Sequence, residues 1–540
     1  MHKKNILAVI VILFVIAGTV AYFSGLFIDV TRDAGKYATV SKEIYQNGNF
    51  INLTVHDEPY DQKPPLLFWM GAAGFSIGGI SNFWFKFPVF LLVLAGIYWA
   101  FKLGESLYDR NTGMVTALLL FSSFIYSLYS MDIHTDTPLQ AFVALALWQM
   151  FDFMKYGRTR NMIFGFIAIG LAMLSKGPVG AAIPAFAVAG QLAMKKDFKS
   201  LLDYRWYAGI IISLIVVSPA LIGLMNQFGW EGLRFFFWEN MVGRITGSYV
   251  KAVNDPIFYV HNLLYQLLPW SLLFFIAVFL EFRHLLRNRF RSDEYFTLFG
   301  IWIYFIILNS ASSQLPNYVF SIVPLMAVLL AKWIMIAIRE KTTLYKLFLN
   351  VQYVVVALIW VSIFLISGYL FPGAPFYFWM LAAAGLVSTG YILVQRFERP
   401  VKLLVPSAIV SFLLMFLLNT HVYKYLFSYQ APPEAARFFT RYAEAGDTLY
   451  NYRYGQYEQF FYSEPQAVHL HYNGEAMRSV AGETGSWIFT DEKGYHEIQS
   501  LDSRADTVVT FRHLDLSRGG RFINPKTRND VLENMYLIKF

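Results

Sequence analysis

The chain has 540 residues, of which 56% are hydrophobic, 18% aromatic and only 15% charged, against about 25% charged in a soluble domain. That excludes a string of water-soluble domains, and the aromatic content excludes a disordered chain. Cysteine is absent, which removes disulfides, thiolate-held zinc, iron–sulfur clusters and thiol nucleophiles together. The net charge, 44 basic less 36 acidic residues or +8, says less than where the charges fall.

The N-terminus carries Lys3 and Lys4, followed by an apolar run over 6–28. The run is too long for a signal peptide and no Ala-x-Ala site closes it, so it reads as a first spanning helix that starts inside. Apolar runs of the roughly 17–25 residues that cross a bilayer core recur near 84–103, 113–130, 137–154, 161–175, 178–194, 206–227, 262–281, 295–310, 317–338, 348–371, 375–395 and 402–421. With the first, these make thirteen spans. Every second connection is basic: Arg110, then Lys155 with Arg158 and Arg160, then Lys195 to Arg205, Arg283 to Arg291, Arg339 to Lys346, and Arg396 to Lys402. This is the positive-inside pattern of an inner-membrane protein, and an odd count places everything after the last span on the outer face.

The first outer loop, 29–83, holds two stretches rich in functional side chains. Asp33 stands with Tyr37, Ile44 and Tyr45 at helical spacing, as a surface helix would have it, and Lys63-Pro64-Pro65 opens an apolar stretch that reads as an interfacial helix. The plainer reading of Asp33 is a helix N-cap, and of Lys63 a cation reaching up to the headgroups. Further on, Asp132 and Asp136 fall in a short outer turn, Lys176 interrupts an apolar stretch, and Glu239 and Arg244 fall in the outer loop that follows the span 206–227. A charge such as Lys176 in an apolar stretch is costly unless paired or lining a cavity. All of these fall on one predicted face. Cations there suit a phosphate-bearing lipid, and carboxylates suit an attacking hydroxyl or amine. No His/Asp/Glu metal cluster, Gly-rich nucleotide loop or basic nucleic-acid stripe is visible.

From 422 to 540 the character changes. A helix over 433–442, strands over 448–453, 466–472, 486–490 and 507–512, and a helical stretch over 494–501 predict a small α/β domain. The chain thus divides into a membrane part, 1–421, and an extracytoplasmic domain, 422–540.

In order, Asp33-x-x-x-Tyr37-Ala38, Lys63-Pro64-Pro65, Asp136-Thr137-Pro138-Leu139, Leu174-Ser175-Lys176-Gly177-Pro178, Glu239 to Arg244, Leu268-Pro269-Trp270 and Leu315-Pro316-x-Tyr318 resemble the bacterial protein-mannosyltransferase-like GT-C glycosyltransferases, which include the aminoarabinose transferase of lipid A. The resemblance covers about residues 5–340. It implies transfer of a sugar, with inversion, from a polyprenyl-phosphate carrier to an envelope lipid, glycan or protein on the outer face. It makes Asp33 the catalytic carboxylate, with Asp136 beside it. Lys63 and Arg244 would hold the donor phosphate, assisted by Tyr318, while Asp132, Lys176 and Glu239 support the cavity. The leaving group is a lipid phosphate, so cations suffice to stabilise it and no cofactor is required. Gln62 replaces an acidic residue frequent in relatives, Asn240 falls near a frequent His, and Gln314 replaces a frequent Lys. A protein O-mannosyltransferase is the alternative within the class. A lipid or solute transporter is the alternative outside it, and would show an internal repeat with broken helices at matching places; no repeat is visible.

Overall fold

Apolar side chains on all sides of the first helix, His2–Leu26, leave it no polar face to turn to water. Its last carbonyls are gathered by the buried Lys86, whose Nζ donates to Ile28 O at 2.8 Å and Gly25 O at 3.4 Å. A cation in that position satisfies orphan carbonyls at the negative end of the helix. The computed structural model describes residues 2–239, 243, 255–340, 342–501 and 505–540.

Among the described residues seven helices are long and apolar enough to cross a membrane: Lys3–Leu26, Asn82–Leu107, Tyr204–Glu239, Pro316–Arg339, Thr342–Leu370, Phe376–Val394 and Arg399–Phe427. One further apolar pair is sharply bent, Arg110–Phe121 meeting Phe124–Met131 at 52°. The remaining predicted spans are also helical, as Asp136–Tyr156, Thr159–Lys176, Val179–Lys195, Phe258–Gln266 with Ser271–Arg287, and Phe296–Ser310. These are shorter or more polar, so thirteen uniform crossings give way to a bundle of unequal helices. Local capping sets several boundaries. Asp109 accepts from Thr112 N at 2.8 Å ahead of Arg110–Phe121, and Gly157 closes Asp136–Tyr156 in the left-handed conformation, φ +65.

The bundle packs through small residues. A Cβ on Gly209 would lie 1.9 Å from the Phe166 ring, so Tyr204–Arg234 approaches Thr159–Lys176 only because that position is glycine. The helix reaching Arg339 is the most enclosed, with 89% of its apolar window buried. Its Lys332 donates to both oxygens of Glu281, at 2.9 and 2.8 Å, and Trp333 Nε1 to the second at 2.7 Å. This charged pair thus faces protein, as membrane charges do.

Between the first two spans, the helix Arg32–Asn47, a two-stranded ribbon (β1, Thr54–Val55; β2, Glu58–Pro59) and the helix Leu66–Gly78 form one packed layer. The expected surface helix is therefore present with Tyr37 and Ile44 buried, but Tyr45 turns outward, 43% exposed.

After the last long helix the chain folds into a five-stranded sheet: β3, Thr448–Tyr452; β4, Val468–His471; β5, Ser486–Asp491; β6, Thr507–Leu514; β7, Leu532–Lys539, in the order β4-β3-β5-β7-β6. β3 runs parallel to β4 and β5, and β7 antiparallel to β5 and β6. Four of these strands are legible in the sequence; β7 is the addition, and it pairs between β5 and β6 to complete the sheet. This domain grips the membrane part. Lys42, buried in the Arg32–Asn47 helix, donates to Phe460 O, Phe461 O and Ser463 O at 3.1, 3.4 and 2.8 Å. Arg437 pairs with Asp29, and Arg32 with Asp515 at 2.7 Å.

Candidate active site

Asp136 opens the helix Asp136–Tyr156 and Lys176 ends the helix Thr159–Lys176, so an antiparallel helix pair brings two residues forty apart in sequence to the same depth. Lys176 Nζ donates to both carboxylate oxygens of Asp136, at 2.6 and 2.7 Å, and Asn317 Nδ2 donates to Oδ2 at 2.7 Å. Asp136 is 1% exposed. A carboxylate so buried persists as an ion only when paired and hydrogen-bonded, and here three contacts do that. The ammonium also lies 3.8 Å from the centre of the Tyr318 ring, which the short helix Pro316–Ile322 presents.

Lys176, Tyr318 and Lys63 line a cavity of about 180 Å³. The rest of its wall is apolar or weakly polar, including Val179, Ala182, Phe186, Ile307 and Leu308. A smaller cavity adjoins it, sharing Lys63, Pro64 and Phe236 and adding Tyr60 and Asp61. Two cations in an otherwise largely apolar lining suit an amphiphile with an anionic head.

Asp33 lies in the first turn of Arg32–Asn47, and it does not cap that helix. Thr31 holds the cap position, in extended conformation (φ −139, ψ 159) and without a side-chain cap bond. The carboxylate is exposed at the positive end of the helix. Lys36, one turn on, donates to Gln62 Oε1 at 3.3 Å and lies 4.8 Å from the Tyr457 ring of the C-terminal domain. Gln62 thus connects the two stretches of the outer loop.

Asp132 ends the helix Phe124–Met131, and its Oδ2 lies 3.2 Å from Nε2 of His134. The His134 ring meets Tyr37 and Tyr129 edge-on. Burial disfavours its imidazolium, yet Asp132, then Asp33 and Asp136, outweigh that and hold the pKa above the ordinary histidine value. Asp132 is likewise raised by burial but pulled below the usual carboxylate value by His134, Lys86 and Arg32. His134 escapes sequence reasoning because a lone histidine has no motif; its position between two aspartates, Asp132 and Asp136, is the signal that could have found it.

Glu239 pairs with Arg234 at 3.0 Å, on the exposed side of its helix end, and Phe236 rather than Glu239 lines the cavity. Arg244 and Asn240 lie outside the described residues. Gln314 spends its amide on backbone, accepting from Asp255 N at 3.0 Å and donating to Asp255 O at 3.0 Å and Asn309 O at 3.2 Å. Among the described residues no three His, Asp or Glu side chains converge as a metal site needs.

Residues 62–222 match the family model of dolichyl-phosphate-mannose-protein mannosyltransferases. A protein of Aquifex aeolicus is 27% identical over 344 residues, 63% of this chain and 66% of that one. The undecaprenyl phosphate-alpha-4-amino-4-deoxy-L-arabinose arabinosyl transferase 2 of Proteus mirabilis is 23% identical over 308 residues, 56% of this chain and 54% of that one. The matched segment therefore spans between half and two thirds of these curated relatives. In fold the likeness extends over nearly the whole chain. The structure of ArnT from Cupriavidus metallidurans bound to undecaprenyl phosphate superposes with a TM-score of 0.73 at 15% identity, over 98% of this chain and 97% of that one. Its apo form gives a TM-score of 0.71. The chain has the GT-C fold, a helical membrane bundle with a small C-terminal sheet domain, and its resemblance to the aminoarabinose-transferase-like GT-C proteins holds in sequence and in architecture alike.

Proposed function

We propose that this protein is a membrane glycosyltransferase that moves a sugar from a polyprenyl-phosphate donor to an envelope lipid of the lipid A type, on the outer face of the inner membrane. The observation that carries the reading is a largely apolar cavity whose lining includes both Lys63 and Lys176. The polyprenyl chain occupies the apolar part and the phosphate meets the two ammonium groups. Arg244 joins them, by the order of motifs in the chain. The curated relatives named as arabinosyl transferases support a pentose as the sugar.

In the reaction the acceptor oxygen attacks the anomeric carbon from the side opposite the phosphate, and the anomeric C–O bond to phosphate breaks. The configuration inverts. The electron pair of that bond goes to the polyprenyl phosphate, whose growing charge faces Lys63 and Lys176. Cations already in place cost no reorganisation when that charge appears. Asp33, exposed in the first turn of its helix, accepts the acceptor's proton. Asp136 holds Lys176 in position, since both its oxygens are occupied by that ammonium and by Asn317.

The test is expression in a bacterial strain that makes the aminoarabinose donor lipid but lacks its own transferase. Mass spectrometry of lipid A should show a gain of one aminoarabinose residue. Unchanged lipid A with a hexose added to envelope proteins would move the reading to protein O-mannosylation. Unchanged lipids and proteins would overturn it.

A further inference from the structure

One short helix of the C-terminal domain, Glu458–Tyr462, reaches across to the backbone that leads into the Asp33 helix. Glu458 Oε1 accepts the N–H of Arg32 at 2.5 Å, and Tyr462 OH accepts the N–H of Val30 at 2.7 Å. The pairing is geometrically matched. Glu458 and Tyr462 are four apart, one above the other on a helix face, while Val30 and Arg32 are two apart, so their amides point the same way along extended chain. Glu458 is 2% exposed, and its second oxygen accepts from Tyr454 OH at 3.2 Å. Its side chain lies against the helix it holds: a Cβ on Gly35 would be 3.4 Å from Glu458 Cγ.

Arg32, the residue so held, has φ +50. A residue with a side chain rarely adopts that left-handed region unless its surroundings impose it. The next residue in the chain is Asp33. The guanidinium of Arg32 is also drawn to the C-terminal domain, to Asp515 at 2.7 Å. The direction in which Asp33 leaves the backbone thus depends on a dihedral that a different domain holds in place.

We propose that Glu458 is a positioning residue, which fixes the left-handed turn at Arg32 and thereby aims the Asp33 carboxylate at the acceptor. The inference rests on the proposed role of Asp33. It gives the C-terminal domain a part in turnover through Glu458, and neither Glu458 nor Tyr462 is among the residues lining the cavity of Lys63 and Lys176.

The experiment compares Glu458→Ala, Glu458→Gln and Tyr462→Phe in the full-length protein, alone and combined with Asp33→Asn. It measures kcat for transfer to lipid A and binding of undecaprenyl phosphate. Misplacing a reacting group by about an ångström costs up to roughly a hundredfold in rate, so Glu458→Ala should lose ten- to a hundredfold in kcat with unchanged undecaprenyl phosphate affinity. Glu458→Gln retains an oxygen for the Arg32 amide and should keep most of the rate. In the Asp33→Asn background Glu458→Ala should cost nothing more. Should Glu458→Ala fail to insert, Tyr462→Phe, which loses only the bond to Val30 and that to Asn82, should lower kcat at constant affinity. A normal rate in both variants, equal losses for Ala and Gln, or losses that multiply with Asp33→Asn would overturn the inference. If Asp33→Asn itself transfers sugar normally, it is the underlying role of Asp33 that fails.

Discussion

Lys176 and Asp136 form a two-pronged ion pair, 2.6 and 2.7 Å, at the wall of the proposed donor cavity. The pair does structural and chemical work together. It keeps a buried carboxylate compensated, and it aims one ammonium face at Tyr318 and the cavity.

Removing one partner of such a pair strands the other charge, which costs about 3–5 kcal/mol. Lys176→Met should therefore lower the unfolding midpoint in detergent and weaken undecaprenyl phosphate binding. Adding Asp136→Asn should restore much of the stability but none of the binding. Thermal unfolding and lipid binding on the single and double variants decide this, and recovery of both together would show that Lys176 serves stability alone.

Lys63 has a different profile, since it lines both the main cavity and the smaller one beside it. A charge-assisted contact to phosphate is worth about 1.5–3 kcal/mol. Lys63→Ala should weaken donor binding by roughly ten- to a hundredfold with little change in unfolding midpoint, and Arg244→Ala should do the same. Unchanged affinity in both variants would leave them as interfacial anchors.

Asp33→Asn should insert, fold and bind undecaprenyl phosphate as the parent does, yet turn over at least about a hundredfold more slowly, the lower end of what general-base help contributes. Because Thr31 and not Asp33 holds the cap position, a loss of rate cannot be traced to a lost cap. Normal transfer by Asp33→Asn would end its role as the base.

The pair His134 and Asp132 predicts a pH dependence of stability. His134 is held above the ordinary histidine value, so its contribution is complete below that value, about 6.5, and is lost as pH rises through the folded one. Asp132 is held below the ordinary carboxylate value, so its contribution is complete above that value, about 4, and is lost as pH falls through the folded one. The unfolding midpoint should therefore fall as pH rises above about 6.5 in the parent and less so in His134→Gln. Parallel curves for the two proteins would remove the coupling.

A reporter that works only in the cytoplasm, fused after Phe540, should stay silent. The expectation rests on the alternation of basic connections along the chain. Activity of the fusion would mean that the number of crossings is even.

The membrane part was legible because lipid offers no hydrogen bonds, so each crossing must satisfy its own backbone as a helix of nearly constant length and apolarity. Every predicted apolar run contains helix, although those near 113–130 and 262–281 are each broken in two. Four strands of the C-terminal sheet were legible from alternation and turns; β7 was not, since its place between β5 and β6 depends on partners far along the chain. The same holds for the 52° break after Phe121, which no proline or glycine announces. The site divides in the same way. Asp33, Lys63, Asp136, Lys176 and Tyr318 are marked by residue type and order within a resemblance. That Asp136 belongs to Lys176 and Asn317, that His134 sits among the carboxylates, and that Glu458 holds the amide of Arg32 across 426 positions were decided by tertiary structure alone. Hydrophobic length is a local property of the chain, whereas charge pairing in a dry interior is settled by whichever distant group arrives within three ångströms.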